Sequence, residues 1–196
     1  MAGRPRAFDR EQALQRARDA FWERGYEGTS LADLIDVMHI SSASIYAAFG
    51  SKEALFREAV TDYDAKDGGF ASRALSEEPT ARAALRRMLE DAVTLFTRPD
   101  TPRGCMVVLS APRTAKENDA ISEWLSTLRR ARHAAILRRI CEGRKLGEIA
   151  SNADPEALAD FYTTFLQGLS VQARDGFSRE RMMASIDRAM QVLEDC

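Results

Sequence analysis

The sequence predicts an all-α protein, with a small three-helix unit at its N-terminal end and a larger helical unit behind it. Three observations carry this expectation. Along most of the 196 residues, apolar side chains recur at i, i+3, i+4 and i+7, the spacing of one face of an α-helix. Cap-forming Ser, Thr and Asp precede these stripes, and Gly or Pro follows them. The composition, 45% apolar and 30% charged with only 11 Gly and 6 Pro, is that of a folded, helix-rich chain able to bury a core.

The first helix follows Asp9: Leu14, Ala17 and Phe21 share a face with Ala13 and Ala20 beside them, and Gly25 ends the run. Thr29 and Ser30 then offer a cap oxygen, with Asp33 in an approximate capping-box position. Leu31, Leu34, Ile35 and Met38 complete the second stripe. After His39 and Ile40, Ser41 or Ser42 caps a third helix whose Ile45 and Phe49 lie one turn apart, and Gly50 closes it. Ser51 caps a fourth, with Leu55, Phe56, Ala59, Val60 and Tyr63 on one side. Lys66, Asp67, Gly68 and Gly69 read as a flexible joint and as the boundary between the two units.

Beyond the joint, Thr80 caps a helix carrying Leu85, Met88, Leu89, Ala92, Val93 and Phe96, which ends before Pro99. The apolar run from Gly104 to Ala111 is too short for its period to separate strand from helix; the helical context favours a short helix interrupted at Pro112. Ile121, Trp124, Leu125, Leu128, Ala135, Ile136 and Ile140 trace one long helix to about Gly143. Asp154, Pro155 and Glu156 supply a cap, a proline at the first helical position and an acid in the first turn. Ser178 opens the last helix, which carries Met182, Ile186, Met190 and Leu193.

Several function classes are disfavoured. No stretch approaches the roughly 20 apolar residues of a membrane span, and the N-terminal residues lead into a charged helix, so a cytoplasmic protein with no membrane partner is expected. Three cysteines (Cys105, Cys141, Cys196) and two histidines (His39, His133) are too few and too scattered for a disulfide framework or a zinc cluster. There is no nucleophile elbow, no phosphate-cradling glycine loop and no metal-binding His/Glu spacing, so neither an enzyme nor a metal or other cofactor is expected. Net charge does not argue for nucleic acid: the formal total is -2, and residues 1–55 hold seven Lys and Arg against eight Asp and Glu.

The N-terminal pattern does argue for it. Three small helices share an apolar seam, and the second and third are separated by a few turn residues, the arrangement that presents the later helix to a major groove. With Ile45 and Phe49 turned inward, Ser42, Ala43, Ser44, Ala47 and Ala48 fall near the outer face. Such small side chains let a helix lie deep; hydroxyls bond base edges or phosphates, and an alanine methyl can touch a thymine methyl. Tyr46 carries a hydroxyl able to reach a backbone oxygen, Lys52 lies in the first turn of the next helix, and Arg4, Arg6 and Arg10 gather at the start. The string from Ile40 to Leu55, preceded by Gly25 to Leu31 and by Gly3 to Asp9, resembles the N-terminal domain of TetR-type (tetracycline-repressor-like) transcriptional regulators over about a third of the chain. The resemblance implies a helix-turn-helix DNA-binding domain over residues 6–66 and an effector-binding and dimerisation domain over 67–196. It also implies phosphate contacts from Tyr46 and Lys52, a backbone contact from Thr29, and groove-facing positions at Ser42 and Ala43. Arg4, Arg6, Ser41 and Ser44 complete the candidate DNA-binding set. Two positions depart from the family pattern: His39 stands where a turn Gly is usual, and Ala48 where many members carry a His.

The resemblance further implies a homodimer on a pseudo-palindromic double-stranded operator, since two recognition helices must be spaced about one helical turn, roughly 34 Å. Phe161, Leu166 and Leu169, with Met182, Ile186 and Met190 of the last helix, are suited to pair with their copies as a four-helix bundle. A small-molecule effector, apolar or aromatic, is expected among Met88, Phe96, Met106, Trp124, Leu128, Tyr162 and Phe165, oriented by polar groups such as His133 or Thr163. The expected function is a transcriptional regulator, of the repressor kind, released by that effector. The alternative is a redox-sensing regulator acting through Cys105, which follows Gly104 at a possible helix start. Arg129, Arg130, Arg132, Arg138 and Arg139 form a basic helix segment, read as a solvated face in preference to an anion or partner site.

Overall fold

A computed structural model describes residues 8–110 and 118–193 of the chain. These form ten helices and no strand: α1 (Arg10–Arg24), α2 (Leu31–Met38), α3 (Ser42–Phe49), α4 (Lys52–Ala65), α5 (Phe70–Glu77), α6 (Ala81–Phe96), α7 (Met106–Leu109), α8 (Asp119–Lys145), α9 (Pro155–Arg174) and α10 (Arg179–Gln191). Side-chain oxygens begin most of them. Asp9, Ser30, Ser41, Ser51, Thr80, Asp154 and Ser178 each accept from backbone N–H groups of the first turn, the donors a helix cannot satisfy internally. At α2 the cap is a full box, the Asp33 carboxylate returning to the Ser30 backbone at 2.8 Å.

The buried apolar residues make one contiguous core that runs from α1 through α10. In the N-terminal part α1 packs against α2 and α4, and the rings of Phe21, Tyr26 and Phe56 meet with centroids 5.1–6.3 Å apart. Arg10 ties the part together electrostatically: its guanidinium binds both oxygens of Glu58, reaches the Ala48 carbonyl, and lies 4.4 Å from the Phe49 ring centroid.

The two parts of the chain are closely joined. Gly25 adopts φ +75°, and a Cβ there would stand 2.7 Å from the Ser110 carbonyl, so the residue that ends α1 also lets it dock after α7. Next to it the Tyr26 N–H donates to that carbonyl at 2.8 Å. The buried Trp22 indole donates to the Gly104 carbonyl at 2.9 Å. Arg174, at the end of α9, donates to the carbonyls of Trp22, Glu23 and Arg103 at 2.7–3.1 Å, satisfying the final turn of α1 with a cation where the helix dipole favours one.

Three expectations need correction. Residues 66–69 are a packed corner: Asp67 pairs with Arg18 and Arg98, and Gly68 lies so close to Tyr63 that a Cβ would meet the ring at 2.6 Å. Helix α5 follows it directly, burying Phe70, Ala71, Ala74 and Leu75. Met182, Ile186 and Met190 of α10, expected at a dimer interface, are at most 1% exposed because α10 packs against α6 and α9 of its own chain. Leu166 and Leu169 are likewise spent on the monomer core, at 3% and 2% exposure.

Candidate nucleic-acid interface and the cluster behind it

Helix α3 is short, starts with Ser41 as its cap and ends at Gly50, φ +84°. Its buried face is Ile45 and Phe49; Ala43 and Ala47 are exposed, Ser42, Ser44 and Ala48 half-exposed, and Tyr46 stands 50% exposed. The Ser41 hydroxyl accepts from the Ser44 N–H at 3.2 Å and lies 3.0 Å from the Ser44 hydroxyl, so these two oxygens hold each other at the start of the helix. The turn before them is made by His39 at φ +55°, the left-handed conformation that a glycine would adopt at lower cost.

Lys52 opens α4 with its ammonium 4.3 Å from the Tyr26 ring centroid. Partial burial lowers its pKa from the ordinary 10.5, against the opposing pull of Glu27 and Asp33. The stem is thereby fixed beside the free N–H groups of the α4 start, a pairing suited to an anion. Ala43, Ser44, Tyr46 and Lys52 thus belong to the start of α3, its outer face and the start of α4, while Arg4 and Arg6 lie outside the described residues. Thr29 does not join this surface. It is fully buried and its hydroxyl donates to the Gly25 carbonyl at 2.7 Å, so a direct contact from it gives way to a role in holding the end of α1 against the start of α2.

The residues expected to hold an effector do not converge on one cavity. Met88, Phe96, Met106 and Tyr162 are 0–1% exposed core, and the Tyr162 hydroxyl is used by the Ala189 carbonyl at 3.0 Å. Trp124 packs edge-on to Phe56 under the Arg57 guanidinium. Phe165 stacks on Phe161 on the outer side of α9, and His133 faces Asp160 at 2.9 Å on the surface. Thr163 keeps a buried hydroxyl without a protein partner. Leu128 does line a cavity of about 200 Å³ between α4, α5 and α8, together with Leu75, Ser72, Asp64, Arg132 and Arg138. Arg132 is therefore not part of a solvated face. Only 14% of its side chain is exposed; it reaches inward past Phe70 and toward Asp64.

Arg132 also touches Cys105. The guanidinium Nη1 and the Tyr63 hydroxyl each donate to the Cys105 Sγ at 3.7 Å, and the Cys105 N–H donates to the buried Ser170 hydroxyl at 2.8 Å. Burial pushes the Tyr63 phenol well above its ordinary value of 10, and the adjoining Cys105 adds to the effect. The phenol therefore stays protonated and remains a donor. Sequence reasoning singled out Cys105 but missed both partners, which lie 42 and 27 residues away.

An exposed helix of small side chains, set on a three-helix seam and docked on a helical bundle, defines the class: a helix-turn-helix transcriptional regulator. Residues 13–59 match the family model for bacterial regulatory proteins of the tetR family, and residues 81–193 match that for the tetracyclin repressor-like C-terminal domain. The chain belongs to the TetR family, whose members are DNA-binding transcription factors and not enzymes. It is 33% identical over 182 residues to the HTH-type transcriptional repressor ComR of Escherichia coli, covering 92% of this chain and 87% of that protein. With the repressor BdcR of the same organism it shares 26% identity over 98% of this chain and 92% of the relative. A cysteine-substituted variant of the TetR regulator CifR, solved with 26-bp double-strand operator DNA, superposes with a TM-score of 0.92 at 47% identity, covering 96% of this chain and 98% of that one.

Proposed function

We propose that the chain is a homodimeric transcriptional repressor that reads a two-fold operator through α3 and is released by a small molecule. Residues 6–66 form the DNA-reading unit and 67–196 the regulatory and pairing unit. The observation that carries this reading is the outer surface of α3, where exposed Ala43 and Ala47, the Ser42 and Ser44 hydroxyls and the half-exposed Tyr46 adjoin the Lys52 ammonium. Depth of entry comes from the small side chains, and register on the duplex comes from Tyr46 and Lys52 at phosphates. CifR, which is similar over nearly the whole chain, is bound to an operator in its own structures.

Pairing falls to α8 and α9. Ala134, Leu137 and Cys141 form an incompletely buried stripe on α8, and Phe161, Phe165 and Gly168 form one on α9. Two copies of this pair of helices make the four-helix bundle that α9 and α10 were expected to make. The effector enters the cavity beside Arg132; at about 200 Å³ it suits a molecule of about one aromatic ring, and Asp64, Arg132 and Arg138 give its lining a charged part. No helix among the described residues is long and apolar enough to cross a membrane, and we place the protein in the cytoplasm.

Selection of operators from random DNA with the purified protein tests the reading. Two-fold half-sites centred about one helical turn apart are expected, and Ala43→Phe, which fills the groove-facing position, abolishes their capture. Recovery of no sequence above background, or undiminished capture by Ala43→Phe, overturns it.

A further inference from the structure

The function proposed above leaves one buried chemical group unused. Cys105 is fully buried, yet its sulfur faces a guanidinium and a phenolic hydroxyl, each at 3.7 Å, an unusual environment for a cysteine that only fills space. The thiolate is the form of a cysteine that reacts, and here a guanidinium and a phenolic hydroxyl stand as donors at its sulfur. Arg132 belongs to two places at once. It contacts the sulfur and it lines the cavity between α4, α5 and α8, so one side chain borders both that space and the thiol.

We infer that Cys105, Tyr63 and Arg132 form a thiol switch that a peroxide oxidises, releasing the protein from its operator. The inference rests on the operator-binding reading. A molecule as small as hydrogen peroxide fits the cavity and passes Arg132. The Cys105 thiolate attacks one peroxide oxygen; the S–O bond forms as the O–O bond breaks, and the leaving oxygen takes up the proton lost by the thiol and departs as water. Sulfur gives up two electrons, peroxide accepts them, and the product is a sulfenic acid, which a thiol reductant returns to the thiol. Arg132 steadies the negative charge on sulfur before attack, and Tyr63 keeps its proton throughout.

The added oxygen has no free space at a fully buried sulfur, so it displaces Tyr63, Arg132 or both. Tyr63 sits on α4, and its ring packs edge-on to Trp22 of α1 at 4.7 Å. Trp22 in turn holds the Gly104 carbonyl, one residue before the cysteine. A change at the sulfur therefore reaches, within two contacts, both long helices that carry α2 and α3. Packed contacts of this kind shift between discrete arrangements instead of bending smoothly.

The test is operator binding by the full-length dimer, titrated with hydrogen peroxide and then with dithiothreitol, with peptide mass spectrometry to assign the oxidised cysteine. Peroxide is expected to weaken binding of the wild type by at least about tenfold, within the usual range of coupling between sites, with one oxygen on Cys105 and recovery on reduction. Cys105→Ser binds DNA and ignores peroxide, whereas Cys141→Ser responds as the wild type does. Arg132→Gln and Tyr63→Phe keep the thiol and slow its oxidation, since each removes one of the two donors at the sulfur. Unmodified Cys105 at peroxide levels that release DNA, release of Cys105→Ser, or an oxidised protein that still binds tightly overturns the switch. Failure of the reduced wild type to bind any operator is a different result, and counts against the DNA-binding reading itself.

Discussion

Replacing Lys52 with Gln tests the proposed interface quantitatively. The side chain lies half-buried across Tyr26, with its ammonium 4.3 Å from the ring centroid at the first turn of α4. Gln keeps much of the stem and removes the charge. Each phosphate contact contributes about 0.9 to the slope of log K against log salt concentration, so losing one per protomer flattens the slope of the dimer by about 1.8. At about 0.15 M salt the same term amounts to roughly thirtyfold in affinity, independent of DNA sequence. Fluorescence anisotropy on a selected operator and on random duplex, each across a salt series, measures both quantities. The loss of the cation–π contact, about 0.5–1 kcal/mol at an exposed site, would lower folding stability and leave the salt slope alone. An affinity loss with an unchanged slope would therefore refute the phosphate contact and assign Lys52 to packing.

Other predictions follow from single contacts. Trp22→Phe leaves the buried Gly104 carbonyl without its donor and shrinks a 1%-exposed side chain; a loss of about 2–4 kcal/mol lowers the melting temperature by roughly 4–16 °C, and a change under about 0.5 kcal/mol would show the contact to be idle. Phe165→Glu on the outer side of α9 yields monomers in sedimentation, whereas Met190→Ala in the core costs about 2–5 kcal/mol of stability with association retained; the reverse pattern would restore α10 to the interface. His39→Val strains the left-handed turn at φ +55° and costs about 1–2 kcal/mol, while His39→Gly is neutral or stabilising by thermal melting. A Val variant as stable as the wild type would mean that the turn relaxes freely.

Local signals made most helix starts legible. Asp9, Ser30, Ser41, Ser51, Thr80, Asp154 and Ser178 all act through their own side chains within a few residues, and sequence reasoning named each as a cap or start, Ser30 together with Thr29 and Ser41 together with Ser42. Helix α5 escaped because its cap is Gly69, which offers no oxygen, and because the preceding corner is held by Tyr63 and Arg18 from other helices. On α9, one wide apolar arc serves two neighbours: Leu166 and Leu169 turn to the core while Phe161 and Phe165 stay partly open, a division that periodicity cannot make. Thr29 illustrates the limit at the site itself. Its position in the motif suggested a DNA contact, but the carbonyl that claims its hydroxyl is at the end of the previous helix, and only the turn geometry brings them together. The Cys105 cluster depends on three separate helical elements and had no local signature beyond the cysteine.

The strap formed by Arg174 makes α9 a lever. One end of this 20-residue helix grips the last carbonyls of α1, and its middle carries Phe161 and Phe165, where a second copy is proposed to rest. A rod of 20 residues is about 30 Å long, so a tilt of about 5° around its centre moves each end by roughly 1.3 Å. Directed along the 2.7 Å bond from Arg174 to the Glu23 carbonyl, that displacement would carry it beyond hydrogen-bonding range. In the proposed dimer, the angle at which the two subunits meet and the direction in which α1 points would be geared to each other through the contacts of Arg174.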